Sequence, residues 1–232
     1  MTRKVIFLFD YTGISAEPWL EAGYECWLFD GQHPEGITKD GNLVKVGMWF
    51  NPYTVEEHAR HIYDMVGDGV CLIGAYPECT DLAVSGAAHF AKKRAVNSAF
   101  QTEAASLAVL GEKLGNLYNA PWYAENPVSV LSTLWRKPNF SFHPWEYGGY
   151  LPVDDEHPLY PEYIAPRDAY PKKTCIWCGN GFNKPTVIPV EPEEGFSRQH
   201  KKLGGRSLKT KNIRSATPRG WSRAVFEMMH RD

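Results

Sequence analysis

With 232 residues, the chain is long enough for one sizeable core and short for two full domains. Hydrophobic residues at 43% and charged residues at 22% exclude a disordered chain, and no apolar run approaches the roughly 20 residues needed to cross a bilayer. A net charge of -2 excludes a global attraction to nucleic acid or to an anionic membrane.

The segment KVIFLFDY (4–11) is a short apolar run with a β-branched start, bounded by a Thr-Gly pair, and predicts a buried strand. SAEPWLEAG follows as a short helix with Ser15 as its cap, Pro18 in the first turn and Gly23 as its stop. YECWLFDG (24–31) is a second strand that ends in an acid. Strand, turn, helix and strand in this order predict a parallel pair within an α/β sheet. TVEEHARHIYDMV (54–66) reads as a helix opened by a capping box of Thr54 and Glu57. GVCLIGA is the next strand, the stretch 88–115 is the longest helical run with Gly115 as its end, and APWYAENP (120–127) is a further strand. Alternating strands and helices up to this point predict a doubly wound sheet.

Beyond residue 136 the character changes. A stretch rich in Pro and aromatic residues predicts an ordered loop region packed by its rings, and Trp122, Trp135, Trp145 and Tyr147 read as packing residues. TCIWCG is a short strand, and GWSRAVFEMMH closes the chain as a helix. The expected division is a Rossmann-like core over 1–136, a loop-rich region over 137–212, and a C-terminal helical segment over 213–232 that returns to the core. A basic run from Arg198 to Arg223 contains Lys201, Lys202, Arg206, Lys209, Lys211, Arg214 and Arg219 with no acid between them, which suits phosphate contacts.

Five cysteines and a start that meets an acid too early for a signal peptide predict reduced thiols in a cytoplasmic protein. Cys26 and Cys71 lie in apolar strands and read as core. Cys175 and Cys178 form a lone CxxC that, with His143, His157 or His200, would make a zinc set; without a second pair no metal site is assigned. Cys79 differs, because it stands just past the end of a predicted strand. Ligands of open α/β sheets bind at such carboxyl ends. The others here carry Asp10, Tyr11, Thr12 and Gly13; Asp30; and Glu125, Asn126 and Pro127. An acid at the position of Asp30 suits the two hydroxyls of a ribose.

Taken in order, CTDLAVSG (79–86) and ENP (125–127) resemble the cytosine 5-methyltransferase family of DNA-modifying enzymes. The resemblance covers most of the chain and is closest to a compact, phage-type subgroup, with ENPV, KKTC (172–175) and TPRG (217–220) elements. It implies a Rossmann-like methyltransferase sheet, S-adenosylmethionine as the cofactor, and methyl transfer to carbon 5 of cytosine. It implies Cys79 as nucleophile, with Glu125 and Asn126 as the pair that holds the base. Asp10, Tyr11, Thr12, Gly13, Asp30, Pro77 and Thr217 are implied at the cofactor, and Lys173, Arg214 and Arg219 at the substrate. Glu78 stands where the family has proline, and the target-recognition region is shortened. The implied substrate is therefore DNA, single-stranded or loosely specified, or a free cytosine nucleotide, with a protein partner as an alternative means of target recognition. A non-catalytic nucleic-acid-binding protein on the same scaffold is the competing class.

Overall fold

The computed structural model describes residues 3–204 and 207–230, so Arg206 of the basic run lies outside the described residues. By its contacts the chain forms two compact units, and neither is one continuous segment. The first holds residues up to Tyr11, Trp19–Ser141 and Cys175–Asn183; the second holds Thr12–Pro18, Phe142–Thr174 and residues from Lys184 onward.

The first unit is built on a seven-stranded sheet in the order β3-β2-β1-β4-β5-β7-β6. Its strands are β1 (Lys4–Leu8), β2 (Glu25–Asp40), β3 (Leu43–Gly47), β4 (Val70–Ala75), β5 (Trp122–Pro127), β6 (Phe140–Phe142) and β7 (Thr174–Gly179). β1 pairs in parallel with β2 and β4, and β4 with β5, as expected for apolar runs separated by helices. From Val5 to Leu8, β1 is buried, which is why it reads as continuous hydrophobic sequence rather than as an alternation.

β2 extends beyond the expected end at Gly31. Its first half pairs with β3 in parallel register from Cys26↔Leu43 to Asp30↔Gly47. Its second half turns back and pairs in the opposite sense, from Ile37↔Val46 to Asp40↔Leu43. Gly41, at φ 55°, makes the two-residue Gly41-Asn42 turn of this hairpin, a conformation that glycine adopts without Cβ strain. The sheet is therefore mixed.

The helices are α1 (Glu17–Glu21), α2 (Val55–Val66), α3 (Phe90–Val96), α4 (Phe100–Ala108), α5 (Leu110–Tyr118), α6 (Leu131–Leu134), α7 (Arg198–Lys202), α8 (Leu208–Ser215) and α9 (Arg219–Met229). Among the described residues no helix is long and apolar enough to cross a membrane. The single long helix expected over 88–115 is instead a 3-10 turn and three shorter helices. Asn97 causes one break: its Oδ1 accepts the Ala99 amide at 2.9 Å, offering the backbone a local turn in place of the helical ladder. Gly115 does not end α5, which runs on to Tyr118 and stops at Asn119 in a left-handed conformation. Gly115 is needed for space, since a Cβ there would stand 2.2 Å from the Trp122 ring. The expected caps are also absent. The Thr54 hydroxyl meets the His58 ring at 3.3 Å, and the Ser15 hydroxyl turns to Thr217.

A stack of Trp122, Trp135 and Trp177 joins β5, the segment after α6, and β7, with centroids 6.0 and 6.1 Å apart. Trp122 and Tyr147 are buried packing residues, as expected. In the second unit, Phe142 stacks on Trp221 at 4.4 Å, and Tyr147 meets Trp221 edge-on. A Cβ on Gly220 would stand 2.3 Å from the Tyr147 carbonyl oxygen, so the glycine lets α9 approach the 144–150 turn closely.

Candidate active site

Three strands of the first unit, β1, β4 and β5, run side by side in parallel, so their carboxyl ends emerge at one edge. After β4 the ladder continues one step, with the Tyr76 amide donating to the Leu8 carbonyl at 3.0 Å. Pro77 is buried, and Cys79 follows as a half-buried cysteine outside any disulfide. The Cys79 carbonyl accepts amides from both Leu82 (3.0 Å) and Ala83 (2.8 Å), which closes a tight turn around the residue. Glu78 is exposed, and its Oε1 accepts the Thr80 hydroxyl at 2.6 Å. Asp81 forms an ion pair with Lys93 of α3, while its carbonyl accepts from Gln101 at 3.4 Å. These bonds brace the turn from its far side.

Asn126 is buried at 1% exposure on the end of β5. Its Nδ2 donates to the Pro77 carbonyl at 3.0 Å, directly tying the Glu-Asn-Pro turn to the segment that carries the thiol. Its buried Oδ1 has no hydrogen-bond partner among the described residues. Farther along, the Val84 amide donates to the Val128 carbonyl (3.1 Å) and the Val130 amide to the Leu82 carbonyl (3.0 Å), around an antiparallel bridge of Ala83 with Ser129. The turns after β4 and β5 thus form one hydrogen-bonded piece. Cys79, half-buried Glu125 and Asn126 belong to it together.

The neighbouring strand ends supply a different chemistry. Phe9 follows β1 at φ 60°, an uncommon conformation for a bulky residue, and its amide donates to the Phe29 carbonyl at 2.7 Å. Asp10 is buried, and its carbonyl lies 3.1 Å from His33 Nε2. Tyr11 packs its ring against His33 at 5.7 Å. The half-buried Asp30 carboxylate accepts the Gln32 amide at 2.7 Å. Burial raises the Asp30 carboxyl above its ordinary range, with the Gln32 amide opposing, and burial lowers the His33 ring below its own. Asp30 stands where the parallel half of β2 ends, and a half-buried carboxylate there is the type of group that could hold the hydroxyls of a ribose. His33 was not marked by any sequence signal, because GQHPEG carries no periodicity or ligand spacing.

The remaining site candidates lie in the second unit. Gly13 adopts φ 74° at the start of a 3-10 turn, and the Ile14 amide reaches the Thr12 hydroxyl at 3.5 Å. Buried Thr217 accepts the Ser15 hydroxyl at 3.4 Å, so the Thr-Pro-Arg-Gly segment packs beside the 12–18 turn. Lys173 is exposed. Arg214 is exposed and donates to the Leu203 carbonyl at 2.7 Å, and its own carbonyl accepts from Lys172. Arg219, expected at the substrate, is held by acids of the second unit. Its side chain is only 15% exposed, pairs with Asp155, lies 3.9 Å from Glu17 and reaches the Glu156 carbonyl. Removing a guanidinium from water is costly unless acids surround it, and here that arrangement fixes the fold of the second unit.

Among the described residues no group of three or more His, Cys, Asp or Glu side chains is placed to hold a metal ion. The Cys178 thiol donates to the Phe182 carbonyl at 3.5 Å, and His157 Nδ1 accepts the amides of Leu159 and Tyr160. Cys26 is buried, and burial pushes the Cys71 thiol up to about 11. A scan of the chain against protein-family models gives no match, and a search of curated proteins finds no similar one.

Proposed function

We propose that the chain is an S-adenosylmethionine-dependent transferase that methylates carbon 5 of cytosine in DNA through a covalent cysteine adduct. One observation carries the reading. Cys79 and the Glu125-Asn126 pair, which the family resemblance names as nucleophile and base-holding pair, sit on two turns joined by the Asn126–Pro77 bond and the Leu82–Val84 and Val128–Val130 backbone bonds. The strand order supports a doubly wound sheet, because 3-2-1-4-5 places the switch of direction between β1 and β4. Such a switch point is where nucleoside cofactors bind. Asp30 and the turn after β1 stand there.

Carbon 5 of cytosine is a poor nucleophile, so the ring must first be activated. The Cys79 thiolate adds to carbon 6, and the electron pair of the 5,6 double bond moves into the ring toward nitrogen 3. Glu125, as a carboxylic acid, donates its proton at nitrogen 3 and so prevents full negative charge from building there. Carbon 5 is now part of an enamine and can attack an electrophilic carbon. When bound, S-adenosylmethionine would supply that carbon as the methyl group on its positively charged sulfur, the methyl–sulfur bond breaking as the bond to carbon 5 forms and its electron pair staying on the neutral thioether. The carbon 5 proton then leaves to water, the carbon 6–sulfur bond breaks, and the thiolate of Cys79 is restored. Glu125 recovers its proton from nitrogen 3. A paired base cannot reach a thiol held at a sheet edge, so the substrate base must be unpaired or flipped from the duplex.

The test is label transfer from methyl-labelled S-adenosylmethionine to single-stranded DNA, duplex DNA and deoxycytidine monophosphate. The expected product is 5-methylcytosine in DNA. Absence of label from every substrate, with the cofactor bound, would end the reading.

A further inference from the structure

The second half of β2 forms an edge of the sheet in the first unit. β3 lies between the two halves of β2, pairing with Cys26–Asp30 on one side and with Ile37–Asp40 on the other. Among the described residues no strand pairs with the outer side of Ile37–Asp40, and every residue from Pro34 to Asn42 is exposed. The two-residue turn makes Asp40 and Leu43 the closing hydrogen-bonded pair, and bonded and unbonded pairs alternate from there. Thr38 therefore turns its backbone groups toward Lys45, whereas Ile37 and Lys39 turn theirs outward. A row of outward N–H and C=O groups is a template for another strand.

The charges select which strand fits. Edges are commonly guarded by a charge that pairing would leave unmatched. Here the charges have both signs, with Glu35 and Lys39 placed two residues to either side of Ile37. In an antiparallel pair, opposite residues turn their backbone groups the same way, so a two-fold axis relating two copies of this strand passes through a residue. An axis at Lys39 sets two ammonium groups against each other, and an axis at Thr38 sets Lys39 against Ile37. An axis at Ile37 sets Glu35 of each copy against Lys39 of the other. Lys39 meets Glu25 at 2.9 Å and is still 56% exposed, which leaves ammonium donors for a second acid. Phe29, Val46 and Ile37 stand in one row across the sheet; the first two are buried and Ile37 is 55% exposed. At that axis the two Ile37 side chains meet and extend the apolar row from one copy into the other.

We infer that the second half of β2 pairs with its own copy about a two-fold axis at Ile37, so that one sheet continues through both protomers. The interface is isologous and closes on itself, leaving no edge for a third copy. A strand of this length covers less than the roughly 1,200 Å² of a standard interface, so the dimer is reversible and depends on concentration. The contact is independent of the chemistry proposed for Cys79.

The experiment is sedimentation velocity of the full chain at low salt over about 1–500 µM, a range that resolves weak association. The wild type should pass from monomer to dimer across it. Glu35→Lys, which sets lysine against lysine at both ends of the pairing, should weaken the dimer by about 10-fold or more. Adding Lys39→Glu to that variant exchanges the two charges and should restore most of the association. Ile37→Lys should stay monomeric throughout, with circular dichroism showing each variant folded. A wild type that stays monomeric overturns the inference. A dimer equally strong in Glu35→Lys or Ile37→Lys overturns it as well, and so does a folded double variant that regains nothing.

Discussion

The two units use the same residue types in opposite ways. In the first, backbone bonds and one amide join the site turns, with two amides closing on the Cys79 carbonyl and Asn126 reaching the Pro77 carbonyl, while the Asp81–Lys93 ion pair braces the turn. In the second, charged side chains are themselves the structural bonds. Arg219 is enclosed by Asp155 and Glu17, Asp168 accepts the Gly220 amide at 2.8 Å, and His157 accepts two amides. The difference separates residues placed by their backbone from residues whose side chains are themselves the ties, as Arg219 is to Asp155.

That contrast can be broken at several points. The largest effect is expected from Cys79→Ala, which should lose methyl transfer by on the order of 10³-fold or more with no change in melting temperature. Glu125→Gln should follow, with a rate about 10²- to 10⁴-fold lower and unchanged affinity for S-adenosylhomocysteine. In the second unit, Arg219→Ala should act on stability instead. Leaving the nearly buried Asp155 without its partner should cost about 3–5 kcal/mol, read by chemical denaturation. Asn126→Ala should have a smaller effect of about 1–3 kcal/mol, because it leaves the Pro77 carbonyl without its donor. It should also lower the rate, by releasing the bond that ties the Glu125 turn to the thiol.

The most specific effect concerns pH. Burial pushes the Asp168 carboxyl up to about 7, opposed by the Gly220 amide and by Arg219. A carboxyl raised in the folded state binds a proton more tightly there than in the unfolded chain. Its stabilising contribution is therefore complete below about pH 4 and is lost as pH rises through about 7. Asp168→Asn, which can still accept the Gly220 amide, should flatten that part of the stability profile. An unaltered profile between pH 4 and 8 would show that another group sets it.

Strands β1, β2, β4, β5 and β7 were legible because each contains an apolar run bounded by turn residues, whereas β3 and the three-residue β6 were not anticipated. Nor was the return of β2, because KDGNLVKV needs the partner β3 to show that its second half pairs at all. The break at Asn97 was hidden for a similar reason: a side-chain bond to the backbone leaves no trace in hydrophobic spacing. Cys79, Glu125 and Asn126 were grouped by the family resemblance of their two segments. What joins them was not legible, since it depends on one amide reaching a carbonyl across two strands.

The central claim is that Cys79 attacks cytosine. It is tested most directly by incubating the protein with S-adenosylmethionine and DNA that contains 5-fluorocytosine. Fluorine at carbon 5 cannot leave as a proton does, so a methylated adduct cannot release the enzyme. The expected result is a covalent protein–DNA complex that maps to Cys79 and is absent in Cys79→Ala. A protein that binds both cofactor and DNA yet forms no such adduct would contradict the account.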